Sequence, residues 1–367
     1  MSSTRKQTIL SGVLVCAAFA FLAYRARTHA PLPPPVERVW PVMGTFASIT
    51  LRGDDASRLA AVQAKTAATL DTVNRLMSTY IPDSEIARLN STTNAVPVSP
   101  LTREMLARTR HYTEQTGGAF DATVLPLVRL WGFSGGKTPD RLPTADMIEA
   151  ARSRTGIGNL VVSADTARIT APGTTLDLGG IAKGFAVDRC YDAVIESTPV
   201  NAIFNLGGNI RVHGKATPGR PWRIGVQHPF EEDRTLGALA LESGMALATS
   251  GNYERFVRIN GRRFAHIIDP RSGYPVEGMA GVTILSPTAT EADALSTALF
   301  VIGIGDAAAT LSRFPDSEAL LVPDQQPVVI YVSKGMQAKF IPHPDFRDAV
   351  RLLEHSNSHY GLGQPEG

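Results

Sequence analysis

Three short stretches of this 367-residue chain set oxygen, nitrogen and glycine where chemistry on a phosphate could be done. In ATEADALSTALFVIG (289–303), Asp293 and Thr297 stand four apart. On a helix their oxygens share a face and could hold a hard cation such as magnesium. A structural role competes, because Thr290 and Asp293 have the spacing of a capping box, in which the aspartate satisfies the first amides of its own helix. In LDLGGIAKGFAVD (176–188), an apolar run ends in Asp177, Gly179 and Gly180 follow, and Lys183 stands at a helix start, where free N–H groups favour anions. This is neither the nucleotide-triphosphate loop nor G-x-G-x-x-G, and a plain strand-to-helix turn with a solvated Lys183 accounts for it equally. In RRFAHIIDPRSGYPV (262–276), His266 lies in an apolar run before a proline-containing turn, with Asp269 and Arg271 close in sequence. An imidazole with an ordinary pKa of about 6.5 can accept a proton near neutral pH; a lone histidine beside a turn also serves plain packing. Two more glycine-bearing turns, NLGGNIRVHG (205–214) and LATSGNYERF (247–256), add places where backbone can approach something flat and phosphorylated.

These residues need elements to hold them. TFASITL alternates as a strand, and a helix from about Ala56 to Met77 lines up Leu59, Val62, Leu70, Val73 and Leu76. Ser99-Pro100 opens a second helix that Gly117-Gly118 stops. Strands then dominate: NLVVS, ARIT, TTLDL, NAIFNL, IRVHG, RIGVQ, LGALALE, YERFVRI, GVTILS, EALLV and VVIYVS. Helices interrupt them near Lys183 to Ile195, Glu291 to Ile302 and Asp306 to Phe314. The irregular alternation argues against a doubly wound parallel sheet and for an α+β mixed-sheet architecture.

The apolar fraction of 43% and charged fraction of 19% belong to a folded protein. Arg5, Lys6, Arg25 and Arg27 precede residue 31, where there is no acid, so the formal +2 of the chain becomes −2 for the remainder. Nothing there resembles a nucleic-acid footprint. The uncharged run from Gln7 to Tyr24 has about the length of a minimal membrane span. It reads as an uncleaved anchor, with a cleaved signal (best site Ala30, opposed by Pro31) and a lipidated Cys16 (opposed by the bulky Val15) as alternatives. The expected organisation is an anchor over 1–30, a proline-rich linker over 31–38, a globular unit over 39–342 and a polar tail over 343–367. Beyond Cys16 only Cys190 remains, which excludes an intrachain disulfide framework and a cysteine metal cluster.

Seven stretches in order carry a further signal: MGTFASITL from Met43, MSTYIPDSEIARLN from Met77, GAFDATVLPLVRLWGF from Gly118, LDLGGIAKGFAVD from Leu176, NLGGNI from Asn205, HIIDPRSGYPV from His266 and ATEADALSTALFVIG from Ala289. Together they resemble the ApbE family of FAD:protein FMN transferases, over roughly Val39 to Pro342. The resemblance implies an ApbE-like fold, a single globular unit of two intertwined α/β subdomains. It implies a Mg²⁺-dependent transferase that takes FAD as substrate and moves FMN to a Ser or Thr hydroxyl of an exported or membrane flavoprotein, releasing AMP. By the same resemblance Met43, Tyr80, Ala119, Phe120, Asp121, Asp177, Lys183 and Ile267 contact the flavin nucleotide. Gly180, Asp293, Ser296 and Thr297 ligate the metal, and His266 deprotonates the acceptor hydroxyl. The globular part is then expected on the periplasmic side, held by the anchor. An FAD pyrophosphatase giving free FMN and AMP, and a non-catalytic flavin-binding assembly protein of an electron-transfer complex, are the competing readings. Nothing internal names the acceptor protein or the oligomeric state.

Overall fold

Alternation in TFASITLR turns Ala47, Ile49 and Leu51 inward and Phe46, Ser48 and Thr50 outward, and the segment forms a strand on that basis. The same two rules, period two for strands and an apolar stripe for helices, build the rest. The structure, a computed structural model, describes residues 34–134, 139–196, 198, 200–253 and 256–354. The proposed anchor and the end of the tail lie outside the described residues.

In chain order the first half gives β1 (Val36–Val42), β2 (Thr45–Arg52), α1 (Ala56–Met77), α2 (Glu85–Ser91), β3 (Val96–Pro97), α3 (Pro100–Gln115), α4 (Leu125–Leu130), α5 (Ala145–Arg152), β4 (Leu160–Val162), β5 (Thr166–Ile169) and α6 (Ala182–Ile195). The second half gives β6 (Asn201–Leu206), β7 (Asn209–His213), β8 (Trp222–Gln227), β9 (Thr235–Leu241), β10 (Ala246–Gly251), β11 (Phe256–Ile259), β12 (Arg262–Ala265) and β13 (Met279–Ser286). It closes with α7 (Ala289–Ile302), α8 (Ile304–Leu311), β14 (Glu318–Pro323), β15 (Ile330–Val332), α9 (Lys334–Lys339), β16 (Phe340–Pro342) and β17 (Val350–Leu352).

A nine-stranded sheet in the order β1-β2-β6-β7-β10-β13-β14-β15-β17 organises the molecule. Every neighbouring pair is antiparallel except β15 with β17. β13 is buried at every position, because both faces of the sheet are covered. The main core joins Ile49, Leu51, Val73, Phe185, Phe204, Ile284, Leu295 and Phe300 from the sheet and from α1, α6 and α7. A second core on β8, β9 and α9 gathers Val212, Trp222, Leu239, Leu285, Val332 and Met336. A third packs α4 and α5 against the β11–β12 hairpin through Leu127, Trp131, Ile148, Val257, Ile259 and Phe264. This is the α+β mixed-sheet architecture expected from the sequence.

Several expected elements move. TTLDL is a loop with a single bridge between Thr175 and Val124, not a strand. The Asn90 side chain takes both backbone groups of Leu176, at 2.7 Å to its N–H and 2.9 Å to its carbonyl, and the Asp177 amide donates to the Ala122 carbonyl at 2.7 Å. With those groups satisfied the segment needs no ladder. The linker ends at residue 35, because β1 begins at Val36 and pairs with β2 from Val36–Leu51 to Val42–Thr45. The tail does not start at 343: Phe346 is buried in the second core, and β17 pairs parallel with β15 from Ile330–Val350 to Val332–Leu352. α2, α4, α5 and α9 are helices that no periodicity announced, because each has eight residues or fewer, too short to display a helical stripe.

Candidate functional site

The glycine loop and the start of α7 meet. Asp177 Oδ1 accepts the Gly179 amide at 2.8 Å, which curls the loop ahead of α6. Lys183, in the first turn of α6, donates from Nζ to the Gly179 carbonyl at 2.6 Å and lies 3.5 Å from Asp293 Oδ1. The other Asp293 oxygen accepts the Gly184 amide at 2.9 Å. A Cβ on Gly180 would fall 3.0 Å from Thr297 Oγ1 and 3.4 Å from the Phe120 ring, so both stand against that glycine. Gly180, Lys183, Asp293 and Thr297 therefore share one place.

Asp293 is not the cap of its own helix. Thr288 is, accepting the Glu291 amide, while Glu291 receives the hydroxyls of Ser286 and Ser317. Asp293 instead satisfies the first turn of α6, and the capping-box reading of Thr290 with Asp293 fails for that reason. Burial pushes the Asp293 carboxyl above the ordinary carboxylate range, with the Lys183 ammonium and the Gly184 amide opposing. Asp188, on α6, does the converse for α7. Its carboxylate accepts the amides of Ala289 at 2.9 Å and Thr290 at 2.8 Å, the Thr290 hydroxyl at 2.5 Å and the Arg211 guanidinium at 2.9 Å. Ser296 Oγ donates to the Asp293 carbonyl and lies 2.9 Å from Ser250 Oγ on β10.

The loop after α3 closes one side. Gly117 and Gly118 take positive φ, the Phe120 amide reaches Thr116 Oγ1 at 3.2 Å, and Ala119, Phe120 and Asp121 are buried. Asp121 Oδ1 accepts the Thr123 amide at 2.8 Å and its hydroxyl at 2.7 Å. Burial raises the Asp121 carboxyl and those two bonds hold it back. The bond from the Asp177 amide to Ala122 ties this loop to the glycine loop.

His266 is half-buried directly after β12, and Ile267 behind it is buried with its carbonyl accepting the Val276 amide at 2.9 Å. The segment from 267 to 276 folds back on itself, locked by Arg271 against Asp269 at 2.8 and 3.0 Å and by the Trp131 indole N–H on the Gly273 carbonyl at 2.9 Å. A Cβ on Gly118 would lie 3.9 Å from Arg271 Cγ, so this fold adjoins the Ala119–Asp121 loop.

Two candidates take no part in these hydrogen bonds. Met43 is at the tip of the β1–β2 hairpin, where Met43 and Gly44 have φ of 52° and 71°, the pair of positive angles that a two-residue turn demands. A non-glycine residue held there stores strain, which clusters at functional sites. Thr45 touches Gly207, so the tip adjoins the Gly207-Gly208 turn. Tyr80, 76% exposed after α1, makes no hydrogen bond or ring contact with another candidate among the described residues. Sequence reading missed Asp188, Ser250 and Asn90. Asp188 closes the glycine-lysine stretch, one helical turn beyond Gly184, and that spacing was the available signal; Ser250 and Asn90 had none.

Among the described residues no three His, Cys, Asp or Glu side chains cluster as a metal site, and no helix is long and apolar enough to cross a membrane. Two surface depressions, one beside Arg52, Asp55 and His213 and one beside Thr93, Val161 and Arg168, contain none of the candidates.

The chain is 31% identical over 318 residues to the FAD:protein FMN transferase of Salmonella typhimurium, covering 84% of this chain and 91% of that one. It is 37% identical over 245 residues to the FAD:protein FMN transferase of Haemophilus influenzae, covering 64% and 71%. Its fold is similar to the flavin transferase ApbE from Vibrio cholerae (TM-score 0.74, 31% identity, 84% of this chain and 100% of that one). It is also similar to the ApbE protein of Thermotoga maritima (TM-score 0.77, 31% identity, 83% and 99%). Residues 43–321 match the ApbE family, and the chain belongs to it.

Proposed function

We propose that this ApbE-family chain is a Mg²⁺-dependent FAD:protein FMN transferase that moves the FMN portion of FAD onto a Ser or Thr hydroxyl of an exported or membrane flavoprotein and releases AMP. The observation that carries the reading is the meeting of Lys183, Gly180, Asp293 and Thr297 at the opening of α6.

In this reading a diphosphate lies along the glycine loop, where the Lys183 ammonium offsets its charge. Met43, Tyr80, Ala119, Phe120, Asp121, Asp177 and Ile267 bind the remainder of FAD; the strained Met43 tip, the exposed Tyr80 ring and the apolar wall of Phe120 suit a flat ligand. The acceptor oxygen attacks the phosphorus of the FMN half. A new O–P bond forms as the P–O bond to AMP breaks, the hydroxyl proton passes to His266, and AMP leaves with the bridging oxygen.

The donors fit a hard divalent cation. Asp293 is a buried carboxylate whose ion-pair partner is an ammonium 3.5 Å away, and it is short of compensating charge. Asp293, the Thr297 hydroxyl and the carbonyls of Gly180 and Ser296 would hold Mg²⁺. When bound, the ion supplies Lewis-acid neutralisation of the diphosphate. The N-terminal apolar run holds this domain at the outer face of a membrane.

The test is incubation with FAD, Mg²⁺ and an acceptor flavoprotein domain, followed by a denaturing gel. A fluorescent covalent band that needs Mg²⁺, vanishes with EDTA and accompanies AMP supports transfer. Free FMN with no covalent band makes the protein a pyrophosphatase, and no AMP at all makes it a binding protein.

A further inference from the structure

β11 and β12 form a two-stranded hairpin of their own whose chain runs straight into His266. Its inner face carries Val257, Ile259 and Phe264 into the third core. Its outer face carries Phe256, Arg258, Arg263 and Ala265. On that face Arg258 and Arg263 are directly opposite each other across the two strands. Like charges in such a pair repel, so the arrangement costs stability and calls for a cause.

The structure shows how the pair is held open. Both guanidinium groups stack on the ring of Phe256, at 5.6 Å for Arg258 and 4.1 Å for Arg263, and that ring is itself 44% exposed. Arg263 is fixed further by donating to the Asn252 carbonyl at 2.9 Å. Among the described residues no acid forms an ion pair with either one, whereas the neighbouring Arg262 is paired with Glu277 and Arg271 with Asp269. Two charge-bearing forks are thus pre-oriented outward on an aromatic platform, in a molecule whose charge outside the first 30 residues is slightly negative. Extended chain from Arg263 to His266 spans at most about 10 Å.

We propose that the outer face of the β11–β12 hairpin docks an acidic polypeptide segment of the acceptor protein, with Arg258 and Arg263 engaging its carboxylates and leading its hydroxyl toward His266. This rests on the transferase reading above. A carboxylate between two guanidinium forks turns their repulsion into a bridge with paired N–H···O bonds. An anionic membrane is the weaker partner for this face, because surface attraction of that kind takes four or more basic residues.

The experiment uses two labelled peptides, each with one threonine, one flanked by aspartates and glutamates and the other by the corresponding amides. Their binding to the whole FAD-loaded protein is read by fluorescence anisotropy at low and high salt. Wild type should prefer the acidic peptide, and salt should erase the preference. R258Q/R263Q should lose roughly five- to tenfold in affinity for the acidic peptide only, with FAD affinity unchanged, and R258K/R263K, which keeps the charges but not the paired forks, should fall between the two. Equal binding of the two peptides by wild type, or equal binding of the acidic peptide by wild type and R258Q/R263Q, overturns the proposal. So does binding of phosphatidylglycerol vesicles, through this pair, in place of the peptide. Those outcomes leave the transferase reading standing if FAD is still cleaved with covalent transfer; wild type that makes no AMP overturns the parent reading instead.

Discussion

Asp188 and Asp293 cap each other's helices. Asp188 on α6 takes the Ala289 and Thr290 amides at the start of α7, and Asp293 on α7 takes the Gly184 amide at the start of α6. Each carboxylate is buried, and each satisfies donors that a helix N-terminus leaves open. The pair holds the two helix starts, and with them Lys183 and Thr297, in one fixed relation.

Asp188→Ala removes the acceptor for two amides, one hydroxyl and the largely buried Arg211. Stability should fall by about 2–5 kcal/mol, because two buried amides lose their acceptor at about 1–3 kcal/mol each, while Arg211 keeps Asp192 and the Gly244 carbonyl. Urea unfolding followed by circular dichroism measures it, and a midpoint equal to wild type would contradict the mutual cap. Asp293→Asn keeps an oxygen for Gly184 and should fold, yet lose Mg²⁺-dependent FAD cleavage; full activity in Mg²⁺ would remove Asp293 from the metal set.

Gly184 permits the approach of these helices. A Cβ there would sit 2.1 Å from the Ala289 carbonyl oxygen and 2.8 Å from Asp293 Cβ. Gly184→Ala should therefore force α6 and α7 apart and cost about 1–3 kcal/mol or more, with loss of FAD cleavage. Gly158→Ala, where an added Cβ meets nothing within 4 Å, is the control and should move stability by no more than about 0.5 kcal/mol. Thermal melts of the two variants side by side give the comparison.

His266→Ala should lower transfer to the acceptor about 10²–10⁴-fold, while FAD affinity, read from flavin fluorescence quenching, changes far less. Normal transfer by this variant would take the base out of the mechanism.

Asp121 gives a pH dependence of definite sign. Burial raises its carboxyl in the fold, so the folded state binds the proton more tightly than the unfolded chain does. Stability from this group is therefore greatest at low pH. It falls as pH climbs from the ordinary carboxylate value of about 4 through the raised one, then stays level. Asn at 121 can still accept from Thr123 but does not titrate. The difference in Tm between wild type and Asp121→Asn should shrink or reverse as pH rises through that window; a constant difference would show that the carboxyl is not raised.

Long periodic elements could be read directly. α1 and α3 carry caps and stripes within the sequence, and the alternating strands of the nine-stranded sheet follow from a period of two. The joining of Asp293 with Thr297 was also legible, because both sit on one helix. What escaped were relations made by distant partners. Asn90 satisfies the backbone of Leu176 from 86 residues away, which turned an expected strand into a loop. Glu291 and Thr288 displaced Asp293 from its expected cap because α6 offers Asp293 a better use. Val350–Leu352 has three residues and no pattern, and only the free edge of β15 makes it a strand.

β10, which carries Ser250 beside Ser296, is the fifth of nine strands, while the first and last strands of the chain form the two outer borders. Opening that starts at either border must cross several paired strands before it reaches the centre, so amide deuteration should advance from both rims inward and reach β10 and β13 last. Trimming the chain at Pro342 would bare the β15 edge and the place that Phe346 fills, inviting sticky self-association long before the centre of the sheet gave way.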